Sequence, residues 1–256
     1  MRLTVIGAGP AYSHDPASIG AAYLVEHAGD ALLLDLGHGA FARLAATVRP
    51  EQLAGIAISH LHPDHFIDLV PLRHWLRYHL PAPMRVTVHG PGALSARLDA
   101  LHDEPGFTAA ALDLEPLAPG SRAVGPFELE IVCVEHTADS YAFRISAGKA
   151  AGGGGPNSGP GLVYSGDIGR AEDLRPLVRP GDLLLVEASF GPGPVPPGVA
   201  HLDGPAVGRL AAMTRPSRVL LTHLLPDQDP AATIVAVRAT FDGPVELVAP
   251  GFAVTW

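Results

Sequence analysis

The run Ser59-His60-Leu61-His62-Pro63-Asp64-His65 sets three imidazoles and a carboxylate side by side, directly behind the apolar stretch Gly55-Ile56-Ala57-Ile58. A strand of that kind belongs in a core, so the polar groups that follow it enter the fold partly desolvated. Such groups need a compensating partner, and a divalent cation supplies one by replacing protons as the electrophile. In an extended segment His60 and His62 project to the same side. Asp64 and His65 fall where a helix begins and face elsewhere. One ion could not easily use all four side chains, whereas two ions could. The bland alternative is a polar loop carrying surface histidines.

Three later positions bear on that choice. His136 follows the apolar run Leu129–Val134, Asp167 follows Leu162-Val163-Tyr164-Ser165-Gly166, and His223 follows Val219-Leu220-Leu221-Thr222. Each is a residue able to bind metal just past a predicted strand, where α/β sheets place their sites. Gly166 lets the backbone turn so that Asp167 can reach inward.

The rest of the chain reads as the frame for these loops. Strands are expected over 2–7, 21–27, 31–35, 55–59, 85–89, 127–134, 141–146, 161–165, 182–186, 218–222 and 245–249. Gly29-Asp30 reads as the turn of the first hairpin. Helices are expected over 40–48, 92–102, 203–213 and 230–241, with 64–80 split at Pro71 into a short turn and a second helix. This alternation predicts mixed sheets covered by helices. The 256 residues suit one domain spanning 1–256. The glycine-rich segment 150–161 reads as a hairpin loop. No apolar run approaches the ~18 residues of a membrane helix, and no signal-peptide core is evident, so a cytoplasmic protein without membrane attachment is expected.

Composition narrows the chemistry further. A single cysteine, Cys133, excludes an internal disulfide and a thiolate cluster. Acidic residues outnumber Lys and Arg by 26 to 17 and the net charge is −9. The only lysine is Lys149 and the arginines are scattered, which argues against a nucleic-acid partner.

The motif Ser-His-Leu-His-Pro-Asp-His resembles the His-x-His-x-Asp-His signature of the metallo-β-lactamase superfamily. His136, Ser-Gly-Asp167 and Thr-His223-Leu match its remaining metal positions in order. The resemblance implies an α/β fold, an αββα sandwich of two mixed sheets flanked by helices, with two divalent metals at one edge. These are usually zinc, with manganese or iron as alternatives. Carried over, His60, His62 and His136 hold the first ion, Asp64, His65 and His223 the second, and Asp167 bridges. Aspartate at the bridge is similar to the ribonuclease Z branch, and Cys133 lies outside any ligand position. Asp68-Leu69, Arg73–His79, Tyr164–Asp167, Glu187-Ala188-Ser189 and Phe241–Val245 are similar to an actinobacterial group of cyclic-nucleotide phosphodiesterases.

That likeness implies a metal-bridging hydroxide attacking a small-molecule phosphodiester, with Asp64 orienting it. His201 is the expected general acid for the leaving oxygen and Glu187 its orienting partner. Where relatives often have His-Ser-Thr or His-Leu-Ser, this chain has His-Leu-Asp-Gly, and a loop or helix-start histidine is the alternative role. The alternative functions are a ribonuclease Z-like tRNA 3′-processing endonuclease, a carboxylic ester, thioester or lactone hydrolase, and a metal-binding module without turnover. A basic arm for gripping tRNA is missing from the sequence. The resemblance allows a homodimer. Asp35 and Gly37 resemble a structural Asp-x-Gly turn. Ser140 reads as a turn serine, Gly7-Ala8-Gly9 as a turn, and His14, His27, His38, His89 and His102 as packing or surface residues.

Overall fold

The structure, a computed structural model, describes residues 1–148 and 159–256. β1 (Arg2–Gly7), β2 (Ala22–His27) and β3 (Asp30–Leu34) form an antiparallel meander. The chain then crosses through α1 (Ala40–Thr47) to β4 (Gly55–Ala57), and through α2 (Pro63–Phe66) and α3 (Leu69–His74) to β5 (Val86–Gly90). It continues through α4 (Leu94–His102) to β6 (Leu112–Pro116). The second half runs β7 (Gly120–Val124), β8 (Phe127–Cys133), β9 (Tyr141–Ala147), β10 (Leu162–Tyr164), β11 (Leu183–Glu187), α5 (Gly204–Thr214), β12 (Arg218–Thr222), α6 (Pro230–Arg238) and β13 (Val245–Leu247). β14 (Ala253–Thr255) returns to pair antiparallel with β1. Two seven-stranded mixed sheets result, ordered β14-β1-β2-β3-β4-β5-β6 and β13-β12-β11-β10-β9-β8-β7.

The layering follows from the side-chain period of two. Leu32 and Leu34 of β3, Phe143 and Ile145 of β9, and Leu183 and Leu185 of β11 interlock in the core between the sheets. Their neighbour Leu33 turns outward beneath α1, α3 and α4, packing with Leu44, Leu72 and Leu98. Leu184 and Val186 turn outward beneath α5 and α6, packing with Leu210 and Val237. Both faces of the central strands are therefore buried, which is why they read as continuous apolar runs rather than alternating ones. The expected αββα sandwich is the observed fold.

Several details differ from the sequence reading. The hairpin turn is Ala28-Gly29, both at positive φ (53° and 92°), with His27 paired to Asp30. Two left-handed residues match the twist of a two-residue hairpin better than Gly29-Asp30 would. The helical break falls at Ile67-Asp68, and not at Pro71, which sits at the third position of α3. There its missing N–H would have had no partner within the helix, so proline is tolerated. The segment Trp75–His79 continues as a π-turn. The strand expected over 55–59 ends at Ala57, and β6, β7 and β14 had no counterpart in the expectations. The loop expected over 150–161 lies, but for 159–161, outside the described residues, as does Lys149. Among the described residues no helix is long and apolar enough to cross a membrane.

Strands β3, β4 and β5 are mutually parallel, as are β10, β11, β12 and β13. The loops after β4, β8, β10, β11 and β12 consequently gather at one end of the sandwich, at the carboxyl ends of their strands.

Candidate metal centre

The loop after β4 delivers His60 and His62. Asp64 and His65 follow on α2, with Pro63 at its first position, where a fixed φ favours helix entry. The loops after β8, β10 and β12 bring His136, Asp167 and His223 to meet them. Two glycines make this convergence sterically feasible. At Gly166, whose φ is +58°, a Cβ would lie 2.9 Å from that of Ser59. At Gly37 a Cβ would collide with the carbonyl oxygen of Asp64, so the turn after Asp35 can pass beneath α2 only without a side chain.

The side chains form two groups that share one carboxylate. In the first, His62 Nδ1 lies 3.0 Å from His60 Nε2 and 3.1 Å from His136 Nε2. Asp167 Oδ2 sits 3.7 Å from His60 Nε2 and 3.8 Å from His136 Nε2. In the second, His65 Nε2 and His223 Nε2 are 3.4 Å apart. Asp64 Oδ2 lies 3.5 and 3.1 Å from them, and Asp167 Oδ1 lies 3.3 and 3.5 Å from them. Ligands ~2.0–2.1 Å from a common tetrahedral ion stand ~3.3 Å apart, so both groups have the spacing of a coordination shell. Asp167 offers one oxygen to each.

Hydrogen bonding behind the groups fits the same purpose. His136 Nδ1 donates to the carbonyl of Ala200 at 2.8 Å, leaving Nε2 with a free lone pair. His65 Nδ1 donates at 2.7 Å to Asp35 Oδ2, which also accepts from Tyr164 and from the Ser59 hydroxyl. Outer carboxylate and carbonyl partners of this kind orient metal-binding imidazoles. Asp64 Oδ1 and Asp167 Oδ1 are buried without a hydrogen-bond donor, an expensive state unless a cation is close. The residues present therefore fit a divalent ion in each group.

The electrostatics agree. Burial opposes charge on His65, but Asp167 and Asp35 outweigh it and hold its pKa well above the usual imidazole value. Burial also opposes ionisation of Asp167, yet His223 and His65 keep its carboxyl well below the ordinary range. Burial and the neighbouring His65 push His60 well down, so it stays neutral. The pocket calls for positive charge that its own imidazoles cannot all carry at once.

His201 stands over the seam between the groups, its ring 4.9 Å from that of His136 and 5.9 Å from that of His223. It is half-buried, and its Nδ1 lies 2.8 Å from Oε1 of the fully buried Glu187. Glu187 also accepts from the backbone N–H of Ile168, next to Asp167, and from the N–H and hydroxyl of Ser189. The structure thus brings all seven candidate ligands together and adds the His201–Glu187 pair beside them.

It sets other conspicuous residues aside. Ser140 accepts from the N–H of Thr137 as a turn serine. His89 bonds Arg122, His102 stacks on Phe107, His79 stacks on Trp75, and Cys133 is exposed. The sequence reading missed the roles of Tyr164 and Ser189. Both were visible only as neighbours of Asp167 and Glu187, and nothing in their spacing announces whom they touch.

Comparison with known proteins gives a consistent picture. The β-lactamase superfamily domain matches residues 31–224. An uncharacterised protein of Mycobacterium leprae (strain TN) is 33% identical, over 98% of this chain and 87% of its own. A probable metallo-hydrolase of Bacillus subtilis (strain 168), YhfI, is 25% identical over 98% of both chains. The crystal structure of YhfI superposes with a TM-score of 0.84, covering 99% of both chains at 22% identity. A ribonuclease Z of Pyrobaculum neutrophilum is 28% identical over 80% of this chain and 78% of its own.

Proposed function

The chain belongs to the β-lactamase superfamily, as a metallo-hydrolase of the metallo-β-lactamase fold, and from that premise we propose that it is a phosphodiesterase cleaving cyclic nucleotides. His60, His62 and His136 would hold one divalent ion and Asp64, His65 and His223 the other, with Asp167 shared. Zinc is the favoured ion, and manganese or iron suit the same donors. Such a pair, when bound, polarises a phosphoryl oxygen and lowers the pKa of water toward ~7.

The chain's own residues would divide the remaining work. Asp64 turns one oxygen to the second group and keeps Oδ1 free of donors, so it can orient the attacking water and accept its proton. His201 faces the site with Nδ1 held by Glu187. Its Nε2 proton would pass to the departing 3′-oxygen as the phosphorus–oxygen bond breaks.

The observation that carries this reading is the His201–Glu187 pair over a double ligand group. An unactivated alkoxide needs a proton donor to leave, and this pair supplies one. A small substrate is favoured by the net charge of −9, which would repel a polynucleotide. The Pyrobaculum relative is, by name, a ribonuclease, which supports phosphodiester chemistry in this family. A cytoplasmic setting and a homodimer remain part of the proposal.

Metal-loaded protein incubated with 3′,5′-cyclic AMP, bis-p-nitrophenyl phosphate, a p-nitrophenyl carboxylate and a precursor tRNA tests the reading. Cleavage of both phosphodiesters is expected. Efficient cleavage of the carboxylate with cyclic AMP untouched would transfer the assignment to an ester hydrolase. Trimming of the tRNA alone would transfer it to an endonuclease.

A further inference from the structure

Ser189 lies at the junction of the two systems just described. It is fully buried two residues beyond β11, and its hydroxyl is 2.5 Å from Glu187 Oε2 and 3.0 Å from His223 Nδ1. A serine hydroxyl has one proton to give and lone pairs to accept with. Glu187 as a carboxylate can only accept, and an O–H to carboxylate contact at this distance is a charge-assisted hydrogen bond. The proton of Ser189 is therefore committed to Glu187. Facing His223, the serine oxygen can only accept, so His223 Nδ1 must be the donor. With Nδ1 turned to the serine, Nε2 is the atom directed into the second group, 3.1 Å from Asp64 Oδ2 and 3.4 Å from His65 Nε2; it can donate to the Asp64 carboxylate in the absence of an ion and offer its lone pair once a cation replaces that proton. The backbone enforces the contact: His223 adopts a left-handed conformation, with φ of +57°, a strained state for a non-glycine residue that persists only when its surroundings fix it.

We propose that Ser189 is a positioning residue that locks His223 in the Nδ1–H form and so prepares Nε2 to bind the second ion, a role that rests on the two-ion reading above. The same Glu187 carboxylate then serves both sides, holding His201 through Oε1 and His223 through Oε2 and Ser189. Outer partners of metal-binding histidines typically contribute ~10–100-fold in affinity. Ser189→Ala removes the acceptor from His223 and a longer, 3.4 Å contact to His201 Nδ1 while leaving the direct His201–Glu187 hydrogen bond in place, whereas Ser189→Thr keeps the hydroxyl.

The test has two readouts. The first is the Nδ1 proton of His223 in metal-free protein, followed by long-range proton–nitrogen correlation and its exchange with solvent, with His223→Gln assigning the signals. The wild type and Ser189→Thr should show a downfield, slowly exchanging Nδ1–H, and Ser189→Ala one that moves upfield and exchanges faster. The second is zinc titration against a chromophoric chelator. Ser189→Ala should bind one of its ions ~10–100-fold less tightly and keep the other unchanged, which also shows that the variant is folded. An unaltered Nδ1 proton in Ser189→Ala, or two ions bound as in the wild type, would overturn the proposal. Failure of the wild type to take up a second ion would refute the two-ion reading instead, while the Nδ1 proton still decides the role of Ser189.

Discussion

Burial discourages charge on His201, but the hydrogen bond and attraction from Glu187 outweigh it and raise its pKa above the usual 6.5. If the protonated imidazole is the acid, turnover falls as pH rises through that raised value, so the alkaline limb of the rate profile lies above 6.5. Glu187→Gln removes the charge, leaves the burial uncompensated, and should move that limb to lower pH. His201→Ala should cut turnover on an unactivated phosphodiester by ~10²–10⁴-fold, and much less on a p-nitrophenyl ester, whose leaving group needs no proton. Metal analysis should find two ions per chain in the wild type and one in His62→Ala. At this scale the sequence was most informative, because each candidate ligand follows an apolar strand end, His223 by one residue and His65 by eight. Contacts such as Tyr164 to Asp35 were not legible, since they join residues 129 apart in the chain.

Elements were legible where both faces are buried and obscure where they are not. β3, β11 and β12 announce themselves as leucine-rich runs. β6, β7 and β14 are edge strands with exposed, polar positions such as Asp113, Ser121 and Thr255, and β6 and β14 pair with strands far along the chain, whereas β7 pairs with the adjacent β8. The break before α3 was misplaced because a proline in a first turn costs nothing, a distinction of one or two residues that composition does not encode. Two expectations belong here. Asp229 caps α6 by accepting from Ala231 and Ala232, so Asp229→Ala should destabilise the fold by ~1 kcal/mol in urea unfolding. Gly37→Ala would drive a methyl into the Asp64 carbonyl; it should lower metal affinity as well as the unfolding midpoint, because α2 must shift to make room.

At the scale of the molecule, the family resemblance made the sandwich legible before any coordinates, while the substrate depends on loop geometry that one sequence does not specify. Bound ions should add stability. Binding to the folded state alone contributes ~2.7 kcal/mol per site when the free ion is at 100 times its dissociation constant, so stripping with a chelator should lower the melting temperature and restoring the ion should recover it. The placement of the two ligand groups adds a mechanical corollary. Each draws two side chains from loops of the first sheet and two from loops of the second: His60 and His62 against His136 and Asp167, then Asp64 and His65 against Asp167 and His223. A cation in either group is thus a rivet through the sandwich, and prising the halves apart and losing the cation become a single event. Dissociation of metal should then keep pace with the slow breathing that exposes inner-face amides to deuterium.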